Sequence, residues 1–353
     1  MSRALSFLSP HRLAWREVPA PRILHPEDAI VRPVASTTCD LDRLIIEGKT
    51  PYNGPFDIGH ECVAEVIALG EGATGFYPGQ LVIVSWHISC GHCHRCRNGL
   101  NNTCASHPHG AMHGMSVGGE WGGFFSDLVR VPYARTALLA LPPGLDPAHA
   151  ASMSDNIPFG HELTVPHLQR NPGADVLVMG GVGSVALFAA AYAVAAGAGK
   201  VDYVDTDRRR LEIAERLGAN PVESAPRRRF GSYPITVDAS GSAESLASAI
   251  RSTEPEGMCS SVGVQFGDIP FPMQEMYAKG IHFYTGRGKG RPNFEAALDF
   301  VTARRVRPEL VISEIQPFDM ADEVLAAPSM KPVLVRRTSL SDTFLCDSGS
   351  ETA

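Results

Sequence analysis

The chain has no apolar run of the roughly 18 to 20 residues that a bilayer-spanning helix needs. Even the Ala-rich stretch from Val185 to Ala196 is too short. It also lacks a basic excess: 31 Lys and Arg stand against 38 Asp and Glu, a net charge of -7. The charge therefore gives no electrostatic reason to expect nucleic acid or an anionic membrane as partner, while small neutral or cationic substrates remain open. The first residues, MSRALSFLSPHRLAW, lack the continuous apolar region and small-residue cleavage site of a secretory leader, so a cytoplasmic protein is expected. There is no internal repeat.

What is present is the composition of an ordinary folded protein, 353 residues long, and that length exceeds what one hydrophobic core usually serves. Two domains are expected. Of the eight cysteines, Cys90, Cys93, Cys96 and Cys104 fall in one short segment, a clustering that suits a metal better than a disulfide framework. Cys62, Cys259 and Cys346 are scattered and read as buried or incidental thiols.

Up to about Gly144 the chain is a succession of short apolar runs broken by Gly and Pro, such as CVAEVIALG, GFYPGQLVIVSW and FSDLVRVP, which read as strands with tight turns. Beyond Pro172 the texture changes. A buried-strand pattern, ADVLVMG, runs through glycines into a helix over about 184–196. A second strand, KVDYVD, is followed by the helical repeat RRRLEIAERLGA, in which Leu211, Ala214 and Leu217 share a face and Gly218 ends the helix. ITVDASG and GMCSSVGV continue the alternation as strands, the signature of a parallel doubly wound sheet. NFEAALDFVTARRV then reads as a helix and ELVIS as a strand, and the polar stretch at 341–353 reads as a tail.

In VLVMGGVGSVALFAAA, Gly181, Gly183 and Ala186 stand at the spacing G-x-G-x-x-A between a strand and a helix, with Gly180 adding room. Small residues are needed where a backbone turns sharply, approaches a pyrophosphate and aims a helix N-terminus at its charge. Ser184 and Val185, which open that helix, join the candidates. Asp205 lies about 24 residues past Gly181 at the end of the next strand, where a carboxylate would accept hydrogen bonds from an adenosine ribose and repel a 2'-phosphate. NAD(H) is thus expected in preference to NADP(H). Arg208, Arg209 and Arg210 soften the preference, and Arg210 is kept as a cofactor candidate.

The spacing C-x2-C-x2-C-x7-C of Cys90, Cys93, Cys96 and Cys104 can wrap one tetrahedral Zn2+ and leave no open position, which marks a structural site. His92 and His94 between them read as exposed loop residues. A second set is dispersed: Cys39 in TTCDLD, His60 and Glu61 in DIGHEC, and Asp155 in SMSDNIPFG. One thiolate, one imidazole and one carboxylate would leave a position for water or substrate, as catalytic zinc requires.

The GHE motif followed by VAEVIALGEGATGFYPGQLVIV, the four-cysteine lobe and the glycine-rich VLVMGGVGSVAL, in this order, resemble the zinc-containing medium-chain alcohol dehydrogenase family from about residue 25 to 335. The resemblance implies an α/β protein with a GroES-like, mostly β catalytic domain (1–150 and 291–340, zinc lobe about 88–106) and a Rossmann doubly wound parallel sheet (151–290). It implies two zinc ions per chain, with Cys39 and His60 as catalytic ligands, Glu61 as a neighbouring carboxylate able to exchange onto the metal, and Asp42 as the family's acidic residue near it. SDNIPFG is similar to the segment of the formaldehyde dehydrogenase branch, which implies Asp155 as third ligand. A homodimer or homotetramer, associating through the nucleotide domain and acting on a small alcohol or carbonyl compound, is implied as well.

The pattern departs from the family at Leu41, where many relatives carry a serine or threonine that passes the alcohol proton toward solvent. Asp40, Thr38 or His161 could supply a substitute path. Without one, an NAD(P)H-dependent reductase of a conjugated C=C or C=N bond is an alternative, and a non-enzymatic NAD-binding or regulatory protein is another. Trp86, His87, Trp121 and Phe124 are candidates for the cleft wall or for packing, and GMSVGGEWGGFF for a flexible cleft edge.

Overall fold

The structure is a computed structural model and describes residues 1–336 except Val182. The expected tail at 341–353, with Cys346, lies outside the described residues. No helix among those described is long and apolar enough to cross a membrane.

Strand Val176–Met179 is buried at every position, as a strand covered on both faces by helices must be. It lies inside a six-stranded sheet whose spatial order is Asn220–Glu223, Val201–Asp205, Val176–Met179, Tyr233–Asp238, Thr253–Ser261, His282–Thr285, with every pair parallel. The chain winds outward from Val176–Met179 first in one direction and then in the other. Such a reversal opens a crevice at the carboxyl ends of the strands. At that end Gly181 lies so close to the turn that follows Tyr233–Asp238 that an added Cβ would stand 2.4 Å from the Ser240 Cα.

Helix Val185–Ala195 is buried continuously from Val185 to Ala193, so its apolar residues need no stripe: it is enclosed all round. Helix Asn156–Arg170 crosses it at Gly160, where a Cβ would lie 2.7 Å from the Phe188 carbonyl carbon. Tyr192 ties it to helix Phe294–Thr302 by donating to the Ala297 carbonyl at 2.9 Å. Helix Arg208–Arg216 buries Leu211 and Ala214 and stops before Gly218, whose φ of +92° suits glycine.

The remaining chain builds a mixed sheet in the order Glu314–Pro317, Pro332–Val335, Ala29–Thr37, Glu61–Leu69, Leu81–Val84, Leu138–Ala140, with Val129–Val131 also pairing Ala29–Thr37. Pro332–Val335 pairs antiparallel with Ala35–Thr37, so a late segment completes a sheet begun near the start of the chain. A smaller sheet, Arg12–Val18, Ser2–Ser9 and Phe56–Asp57, packs beside it. One expectation is corrected: ELVIS is not a strand. Pro308–Leu310 form a 3-10 turn because Pro308 pre-sets its first position, Val311 is swallowed whole by the core, and the strand begins at Glu314.

The close crossing at Gly160 sets a test of the fold. Gly160→Val forces the helices apart and is expected to cost about 1–3 kcal/mol in urea denaturation. An unchanged midpoint would show that the helices can part there freely.

Candidate active site

Cys39 follows the strand Ala29–Thr37 and caps helix Asp40–Ile46, its N–H donating to the Asp42 carboxylate at 2.9 Å. His60 immediately precedes strand Glu61–Leu69, and Asp155 precedes helix Asn156–Arg170. Three ends of secondary structure thus meet. One ligand atom each from Cys39, His60 and Asp155 lies within 4.8 Å of the others. His60 Nε2 is 3.6 Å from Asp155 Oδ2, and its Nδ1 faces Asp42 Oδ1 at 3.5 Å.

A sulfur, a nitrogen and a carboxylate oxygen suit Zn2+, whose tetrahedral ligand edges are roughly 3.3–3.8 Å for bonds of about 2.0–2.3 Å. The electrostatics also ask for a cation. Burial, with Asp155 and Glu61 behind it, pushes the Cys39 thiol far up. Burial works against a charged His60, yet Asp42 and Asp155 carry its pKa up to about 9. The acids that crowd His60 leave the cluster short of positive charge.

Glu61 is held off this set. Its carboxylate accepts from Lys331 Nζ at 2.6 Å, from Ser152 Oγ at 2.7 Å and from the Asn156 N–H at 3.2 Å. Burial drives the Glu61 carboxyl up and Lys331 opposes that shift. Lys331, only 1% exposed, also donates to the Thr38 carbonyl.

Cys90, Cys93, Cys96 and Cys104 form a second cage within the same 4.8 Å limit, and all four are free thiols. Backbone N–H groups point at the sulfurs: Cys93 to Cys90 at 3.4 Å, Cys96 and Ala105 to Cys93 at 3.5 and 3.4 Å, Ser106 to Cys104 at 3.4 Å. Those from Cys96 and Ala105 draw the Cys93 thiol down to about 5, favouring the thiolate that a metal takes. The donor set fits Zn2+ and leaves no protein-free position. His92 and His94 are exposed, as expected.

A cavity of about 910 Å³ lies between the two large sheets, lined by Cys39, His60 and Asp155 on one side and by Ser240, Ser261 and Thr285 at strand carboxyl ends on the other. Trp86 lines it, its ring 5.5 Å from the His60 ring, whereas Phe124 is wholly buried and Trp121 lies under Arg130. His87 stacks on Trp86 and is fixed by the Gly288 carbonyl; burial and the Arg287 charge push it down to about 3, so it is neutral. Met115 and Val117, from the glycine-rich segment, reach the cavity too.

Among the nucleotide candidates, Gly180 abuts Asp205, where a Cβ would lie 2.2 Å from Oδ2. Asp205 is gripped by Arg210 through two contacts of 2.8 Å and by the Thr206 and Asp207 N–H groups. Ser184 and Val185 turn their N–H groups not to solvent but to Asp40, which sits against Gly183. Of the substitute relay candidates, His161 is enclosed between Tyr192 and Phe300, and Leu41 lines the cavity with Leu44.

Sequence reasoning left Lys331, Asn156 and Arg287 without a role. A lysine directly before the apolar PVLV, at a strand start, was the available signal for Lys331. Asn156 was visible within SDNIPFG. Nothing in the sequence distinguishes Arg287.

Comparison with known proteins agrees with this architecture. Residues 25–143 match the family model described as the alcohol dehydrogenase GroES-like domain, and residues 182–303 that described as zinc-binding dehydrogenase. The solved structure of the alcohol dehydrogenase TADH from Thermus sp. ATN1 is 32% identical, with a TM-score of 0.85 over 95% of this chain and 100% of that one. Zinc-type alcohol dehydrogenase B of Aspergillus flavus is 26% identical across 91% of this chain and 77% of its own length. A glutathione-independent formaldehyde dehydrogenase of Pseudomonas aeruginosa is 30% identical across 62% of this chain and 57% of its own.

The buried Glu61–Lys331 pair generates a second test. Lys331→Met strands a buried carboxylate and is expected to destabilise by about 3–5 kcal/mol, with most of the loss recovered when Glu61→Gln is added. If the double variant unfolds at the same urea concentration as the single, lost packing rather than stranded charge is responsible.

Proposed function

The chain belongs to the zinc-containing medium-chain dehydrogenase/reductase family, and from that premise we propose that it is an NAD(H)-dependent alcohol dehydrogenase, acting on a small alcohol or carbonyl compound in the cleft between its two large sheets. The observation that carries this reading is the convergence of Cys39, His60 and Asp155 on one wall of that cleft. In the proposed arrangement these three hold one Zn2+ and Cys90, Cys93, Cys96 and Cys104 hold a second; residues 151–290 take the dinucleotide, while 1–150 with 291–340 take the substrate. When bound, zinc supplies a Lewis acid that stabilises negative charge on the substrate oxygen, and the nicotinamide supplies the hydride acceptor or donor.

The protein's own groups arrange the reaction. Asp42, facing His60 Nδ1, leaves Nε2 for the metal. Lys331 and Ser152 keep Glu61 off the metal set, so a ligand position stays open for substrate. Trp86, Leu41, Leu44 and Met112 make the surrounding wall apolar and limit water near the reacting carbon. At the adenosine end Arg210 is already committed to Asp205, which supports NAD(H) over NADP(H). Self-association is proposed through the open edge of the parallel sheet at His282–Thr285, and a cytoplasmic setting goes with this reading.

The substrate's chemistry is suggested by Arg287. Its guanidinium lines the cavity, lies over the Trp86 ring at 4.8 Å, and has a thioether, Met112 Sδ at 3.0 Å, as its side-chain partner. Among the described residues no carboxylate pairs with it. Trp86 also packs against His60, so one indole separates a cation from the metal site. We infer a substrate whose reacting carbon is followed by a carboxylate or another anionic group. Replacement of Arg287 by Met is expected to lower kcat/KM about 10- to 100-fold for a hydroxy acid and little for its methyl ester; equal losses on both would remove the anion from this account.

A reductase of conjugated C=C or C=N bonds is the second reading, favoured by the leucines at 41 and 44 where a proton path would run. The decisive experiment is metal analysis beside NAD(H)-linked assays of wild type, Cys39→Ala and Cys93→Ala. Two zincs falling to one in Cys39→Ala with the fold retained and alcohol oxidation abolished, while Cys93→Ala loses stability, is expected. A zinc content unaffected by Cys39→Ala would overturn the catalytic-metal reading, and enone reduction without alcohol oxidation would select the second one.

A further inference from the structure

The first N–H groups of helix Val185–Ala195 lie at the end of a glycine loop, where a dinucleotide's pyrophosphate would accept hydrogen bonds. In this protein they are already taken. The Asp40 carboxylate accepts from the Ser184 N–H at 2.7 Å and the Val185 N–H at 3.1 Å, and from Ser184 Oγ at 3.2 Å and Asn156 Nδ2 at 3.1 Å. The contact is built into the backbone: a Cβ on Gly183 would lie 2.0 Å from the Asp40 Cγ, so the absence of a side chain at 183 is what lets the carboxylate in. Asp40 comes from the far side of the cleft, one residue after Cys39, and reaches across to the nucleotide sheet.

We propose that Asp40 is an internal stand-in for the cofactor's pyrophosphate and the residue that sets the affinity for the dinucleotide. This rests on the reading above that the chain binds NAD(H). Two anions cannot share one set of N–H donors, so the cofactor must displace the carboxylate, and the displaced charge stays on a short helix beside the incoming diphosphate. The result is a binding site weakened by its own protein. It is also wired to the metal site. Asn156 donates from Nδ2 to Asp40 and to Ser184 Oγ at 2.9 Å, while its Oδ1 accepts from Cys39 Sγ at 3.4 Å. Moving Asp40 therefore frees one hydrogen of an amide whose other end rests on a proposed metal ligand. The Lys331 ammonium, held by Glu61, is also favoured by the Asp40 charge.

The test is titration of NADH and, separately, of adenosine into zinc-replete wild type, Asp40→Asn and Asp40→Gly, with zinc content and thermal melting as controls. Asparagine keeps the shape and an acceptor oxygen but loses the charge; glycine empties the position. Both variants are expected to bind NADH about 10- to 100-fold more tightly than wild type, whereas adenosine, which has no phosphate, should bind all three alike. Equal NADH affinity in the three proteins overturns the proposal and leaves the NAD(H) reading standing. Tighter adenosine binding by the variants also overturns it, because the gain would then come from opening the cleft rather than from the charge. Binding of NADH by none of them overturns both.

Discussion

The buried contact between Lys331 and Glu61 is the constraint around which the rest of the site is organised. Lys331 stands directly before the strand Pro332–Val335, Glu61 begins the strand Glu61–Leu69, and the Thr38 carbonyl that shares the ammonium lies next to Cys39. The same carboxylate receives Ser152 and the first N–H of the helix that follows Asp155. One ion pair therefore fixes the positions of three segments that each carry a proposed ligand, and a late strand is needed to supply its cation. Ion pairs of this kind add little to stability by themselves, since desolvation offsets most of the attraction. Their value is in fixing geometry, and at a metal site displacement by a fraction of a bond length separates a ligand from a bystander.

Charge explains why that geometry persists. Asp42, Glu61, Asp155 and Cys39 are packed within a largely buried space around one imidazole and one ammonium. In water such a group would disperse. Here the helix that starts at Asp40 and the helix that starts at Asn156 hold the acids at their N-terminal ends, where helix dipoles favour negative charge. The four-cysteine lobe solves the same problem differently, with backbone N–H groups in place of a lysine, and can do so because its ligands are contiguous on a short loop.

Much of this was legible in the sequence where a local rule applied. The contiguous cysteines and the alternation from VLVM to GMCSS are short-range patterns, and each stands in the fold as the pattern requires, while Gly181 and Gly183 make the close approaches that only small residues permit. ELVIS departs from its pattern because an apolar run can be a buried turn as easily as a strand, and Pro308 tips it toward the turn. The proposed catalytic set is visible only through resemblance, since Cys39, His60 and Asp155 share no spacing. What stayed illegible were partners whose meaning depends on two distant segments meeting. Lys331 is an unremarkable lysine until Glu61 faces it, and Asp40 an ordinary first-turn acid until Gly183 leaves room for it.

The leucines at 41 and 44 limit how a proton can travel. In the proposed reaction the alcohol gives up a proton before hydride leaves, and that proton needs a donor–acceptor chain to solvent. Neither leucine can serve, and His161 is sealed among aromatic rings. Among the polar groups on the cavity wall, Asp40 stands next to Cys39 and is bonded to the Ser184 N–H of the glycine loop. Displacement by a dinucleotide would return that carboxylate to the cavity at the moment substrate chemistry begins. The same residue that competes with the cofactor would then become available as a proton acceptor only after the cofactor is seated.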